Sequence, residues 1–142
     1  MDVAVLTVHI IAGTTGLALG PLLLIPRWYR RLGGAYQIAI VALTVTALVL
    51  VALDPSRLWW LAPIAVATQV AAATGWFLTR RDGRSPMATR LLGGSYVSLV
   101  TALLVVSWGG PLAWVLPTVI GVVLVETAAA RTPRANVRGE PR

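Results

Sequence analysis

Two ionisable side chains, His9 and Glu126, lie inside long apolar stretches of the sequence. A charge at the centre of a bilayer costs about 2.5 kcal/mol or more on insertion scales, so a protein that keeps such a group either uses it or gives it a partner. A histidine there can carry a proton or ligate haem or a metal, and a glutamate can take up and release a proton. His9 is the only histidine. Haem ligation by two histidines of one protomer is therefore excluded, and a haem would need a second axial ligand, from across a homodimer or of another residue type. No HxxxH or ExxH spacing indicates a metal site. If the flanking helices begin at Val3 and Leu112, His9 lies roughly 9 Å below one membrane edge and Glu126 roughly 21 Å from the same edge. The two are not expected to meet as an acid–base pair. The plainer expectations are a neutral His9 hydrogen-bonded to a neighbouring helix, and a Glu126 that reaches water or pairs with an arginine.

Three further side chains are candidates for ligand binding or proton coupling. Gln69 sits in mid-helix with Ala65, Ala72 and Ala73 on its side of the wheel, where hydrogen bonding between helices would account for it. Tyr36 and Tyr96 each follow a Gly-Gly pair. Both are expected to anchor at a membrane interface, with a site between two halves of the protein as the alternative. Ser95, Ser98 and Ala102 form a small, hydroxyl-bearing face suited to packing. Nucleophile elbow, phosphate-cradling loop and paired carboxylates are all missing, and the Gly-Gly pairs lack the rest of a dinucleotide fingerprint.

The elements that must position these residues are organised around a doubled motif. Arg30-Arg31-Leu32-Gly33-Gly34-Ala35-Tyr36 returns as Arg90-Leu91-Leu92-Gly93-Gly94-Ser95-Tyr96, and a long apolar run follows each copy. This predicts an all-α integral membrane bundle of five transmembrane helices containing a duplicated helix pair, the two copies running in the same direction. An apolar content of 57 % against 12 % charged residues lies outside the range of soluble domains. The net charge of +7 comes from arginines clustered between apolar runs, which is the pattern of a membrane protein and not of a nucleic-acid binder. Cysteine is absent, so disulfides and thiolate metal sites are excluded. The start Met1-Asp2-Val3 lacks a basic leader region and the first apolar run lacks a clear cleavage site, so that run is expected to stay as a helix.

Spans are expected over Val3–Ile25, Ala35–Leu53, Leu58–Thr79, Leu91–Trp108 and Leu112–Ala130, each near the 20 residues a bilayer needs. Pro26 should end the first span and Pro117 could kink the last. Ala12, Gly16 and Gly20 recur every four residues, a face for close helix contact that His9 nearly shares. Arg27 to Arg31 and Arg80 to Pro86 read as basic loops, and Asp54-Pro55-Ser56-Arg57 as a turn. Trp59, Trp60, Trp76 and Phe77 are expected at the two interfaces. Residues 1–130 form the membrane domain, and 131–142 a disordered, Arg-rich cytoplasmic tail. With the N-terminus outside, five spans leave eleven arginines in the cytoplasm and only Arg57 outside, so the C-terminus is expected to be cytoplasmic.

The run from His9 to Pro21, with Arg31-Leu32-Gly33-Gly34-Ala35-Tyr36, Gly93-Gly94-Ser95-Tyr96 and Leu116 to Gly121, resembles a family of small bacterial multi-pass membrane proteins known as a domain of unknown function. The likeness covers most of residues 9 to 126. Members of that family often carry a second histidine just before the Leu-Gly motif, where it could work with the histidine of the first helix as in cytochrome-b-like proteins. This chain has Arg30 and Arg31 there. What the resemblance implies is the five-helix architecture.

Three functional readings follow. The first is an inner-membrane protein that packs with a partner or binds a small hydrophobic molecule between helices, His9 being its foremost contact. The others are a small proton-coupled transporter using Glu126, and a haem- or quinone-linked redox protein using His9. The expected partners are the lipid bilayer and a homodimer mate or another membrane protein, with no nucleic acid.

Overall fold

A computed structural model describes residues 3–23, 25–83 and 85–132. Among these residues six helices follow one another: α1 (Val3–Leu22), α2 (Pro26–Leu53), α3 (Pro55–Leu58), α4 (Leu61–Asp82), α5 (Pro86–Trp108) and α6 (Gly110–Ala130). All but the one-turn α3 are long and apolar enough to cross a membrane. Among the described residues there is no strand, and the architecture is the expected all-α bundle of a multi-pass membrane protein. The expected tail beyond Thr132 lies outside the described residues.

Helix starts are set by proline. Pro26, Pro55, Pro86 and Pro111 each occupy a first-turn position, where the missing N–H costs nothing and the fixed φ suits the helix. The expected boundaries move accordingly. α1 ends at Leu22, before Pro26, and Pro26 opens α2. The stretch expected as the first basic loop is thus the first turns of α2, and Arg90 likewise lies within α5. Arginine is a good helix former and gives these helices no reason to stop at the membrane edge. The expected turn at Pro55 is the short helix α3. Ser85 caps α5, its Oγ accepting from the Ala88 N–H at 3.2 Å. Between α5 and α6 the backbone turns through Gly109 and Gly110 at φ 66° and 78°, a left-handed stretch that side-chain-bearing residues avoid. Pro117 leaves α6 helical along its whole length.

The helices run up and down, so that one end of the bundle gathers Arg31, Arg80, Arg81, Arg90 and Arg131 while Arg57 sits at the other. α1 packs on α2 and α5, α2 on α4, α4 on α5, and α5 on α6. The core is the cluster Leu23, Tyr36, Ile40, Ala72, Leu92 and Leu99. α1 turns Ala12, Gly16 and Gly20 inward as its spacing predicts. A β-carbon at Gly16 would come within 3.1 Å of Leu99, and one at Gly20 would run into the Tyr96 ring. In both Gly-Gly pairs the first glycine makes the closer contact. Gly33 receives the Trp76 indole of α4, and Gly93 receives Val125 of α6.

Candidate functional site

The five candidate side chains do not converge on one centre. His9, half-buried, places Nδ1 2.9 Å from Thr46 Oγ1 on α2. The Thr46 hydroxyl also lies 2.8 Å from the Ala42 carbonyl of its own helix, to which it donates its single hydrogen. It therefore accepts from His9, and the imidazole is protonated at Nδ1. Gln69 Oε1 stands 3.5 Å from Thr44 Oγ1, a long contact between α4 and α2. Glu126 takes Arg90 in a fork, with Nε and Nη2 donating at 2.9–3.1 Å to its two carboxylate oxygens. Both partners are half-exposed. Among the described residues no three His, Asp or Glu side chains group as metal ligands.

Tyr36 lies between the two copies of the motif. It is fully buried, and its hydroxyl lies 3.0 Å from Ser95 Oγ, the residue before the second tyrosine. Ser95 Oγ lies 2.7 Å from Leu92 O, to which it donates, so Tyr36 is the donor between the two hydroxyls. α2 turns the Tyr36 ring toward Ser95 of α5, so it faces protein and not lipid. Trp76 is likewise turned toward protein. Its ring covers Gly33 and lies 4.3 Å beneath the Arg80 guanidinium. Trp59 is exposed, and Trp60 packs on Trp114 at 5.6 Å.

The principal concavity of the bundle lies away from four of the five candidate side chains. α1 and α6 flank one side of α5 and leave between them a groove of about 310 Å³. Its floor is Leu92, Gly93, Tyr96 and Val100 of α5, and its walls include Gly20 of α1 with Ile120 and Leu124 of α6. Only Tyr96 among the five candidates reaches it. Glycine makes the room: Gly20 gives way to the Tyr96 ring, while Gly93 and Gly121 admit Val125 and Val97 and hold α6 close to α5. Thr89 supplies a hydroxyl at the Arg-rich end, though its hydrogen goes to Ser85 O at 3.0 Å. A signal for this site was present in the register of Gly20, Gly93 and Gly121. Reading it required knowing which helix each glycine faces.

A second, shallower concavity of about 280 Å³ lies between α4, α5 and α6, bordered by Ser98, Thr101 and Thr118. On α2, Gln37 Oε1 is buried without a hydrogen-bond partner. It shares a helix face with Gly33 and Thr44, both directed at α4.

Comparison with protein-family models, with curated proteins and with solved structures found no match.

Proposed function

We propose that the chain is an inner-membrane protein, with its N-terminus outside and its C-terminus in the cytoplasm, that holds a small hydrophobic molecule in the groove between α1, α5 and α6. The observation that carries this reading is the groove itself. It is large enough for a ligand, lined almost wholly by apolar atoms, and walled by helices whose outer faces are suited to lipid. A molecule dissolved in the bilayer could enter sideways between α1 and α6. The orientation rests on the arginine bias of eleven to one. The doubled motif supports two helix pairs built on one plan, α2 with α4 and α5 with α6, since in each the first glycine receives a side chain of the following helix. Tyr96 replaces His9 as the foremost contact.

The test compares wild type with Ile120→Trp, which puts a larger side chain into the groove at a position outside the glycine contacts. Protein purified in mild detergent is extracted with organic solvent and the extract analysed by mass spectrometry. Wild type should release a stoichiometric hydrophobic molecule that the variant lacks. Equal amounts from both, or none from either, would overturn the proposal.

A further inference from the structure

The groove has a direction. Along α5 its lining runs from Thr89 to Val100, eleven residues or about 17 Å of helix, roughly half of the 30 Å hydrocarbon thickness. That half is the one at the Arg-rich end, where Leu23, just past α1, and Thr89 of α5 border it. Its depth is that of a single leaflet.

The charge at this mouth is also one-sided. Pro117 and Leu124 line the groove seven residues apart on α6, and Arg131 stands a further seven along, so the three share a face with only about 20° of drift per step. Arg131 keeps helical φ and ψ of −82° and −9° and is exposed. The two described carboxylates at this end are already engaged, Asp82 at 3.6 Å from Arg81 and Glu126 in the Arg90 fork. Arg131 forms no ion pair among the described residues. A neutral hydrophobic molecule would leave this cation unused, whereas an amphiphile with one anionic head and an extended tail would satisfy both ends of the groove.

We infer, building on the function proposed above, that the occupant is an anionic phospholipid of the leaflet at the Arg-rich end, with one acyl chain laid along α5 and its phosphate against Arg131. The full chain in mild detergent is titrated with phosphatidylglycerol and with phosphatidylcholine of identical acyl chains, and bound lipid is counted by native mass spectrometry. Wild type should favour phosphatidylglycerol by about fivefold, the preference expected from one cation near a headgroup. Arg131→Gln should weaken phosphatidylglycerol retention more than that of phosphatidylcholine, whose phosphate is offset by its own choline cation, and so remove the preference; Arg131→Lys should restore it, and Ile120→Trp should remove both lipids.

Equal retention of the two lipids, lost in Ile120→Trp, would overturn the anionic assignment and leave the hydrophobic groove standing. Lipid retention indifferent to Ile120→Trp would overturn both. A dimer that Ile120→Trp dissociates would place a second copy in the groove and overturn the lipid assignment.

Discussion

His9 donates through Nδ1 to a threonine whose own hydrogen is turned back into α2, and this fixes its tautomer. Ring ¹⁵N shifts of the protein in lipid should show Nδ1 protonated and Nε2 bare; the opposite pattern would mean that Thr46 donates to the imidazole. Among the described residues, Tyr36 and Ser95 form the one side-chain hydrogen bond that joins the two copies of the motif directly. In a double-mutant cycle of Tyr36→Phe and Ser95→Ala, read by unfolding in mixed micelles, the coupling should be about 0.6 kcal/mol, the average for hydrogen bonds between membrane helices. Strictly additive losses would deny the bond any energetic role. Residue types were legible in the sequence, since His9, Glu126, Gln69 and the tyrosines stand out against apolar surroundings. Their partners were not. Thr46 is 37 positions from His9 and Ser95 is 59 from Tyr36, and which residues meet across helices depends on rotations that no local pattern fixes.

At the scale of elements, α5 and α6 lock through reciprocal contacts of glycine and valine, Gly93 with Val125 and Gly121 with Val97. Gly121→Ala would drive a methyl group into Val97 and should lower stability by about 1–3 kcal/mol, as overpacking does. Gly94 has open space where its β-carbon would be. Gly94→Ala should be neutral or stabilising by up to about 1 kcal/mol, the helix preference of alanine over glycine. Thermal unfolding in detergent, followed by circular dichroism, separates the two; equal losses would show that the pairs act through backbone freedom and not through close approach. Span number and rough position were legible because runs of some 20 apolar residues have few other solutions. The helices run past their apolar stretches at Arg31 and at Arg80 and Arg81, where the basic-loop pattern does not reveal the helix end. A charged residue marks the membrane boundary, but the helix is free to continue beyond it into water.

For the whole molecule, the groove, its proposed lipid and the roles of Glu126 and Arg131 all depend on five crossings with the arginine-rich end inside the cell. The chain has no cysteine, so single cysteines report topology without background. Ser56→Cys lies beside Arg57 in α3, ahead of the start of α4, and Asp82→Cys beside Arg81 at the far end of α4; both positions are exposed. In intact cells a membrane-impermeant maleimide should label the first and spare the second until the membrane is opened. Labelling of Asp82→Cys from outside, or of both positions from the same side, would contradict the account.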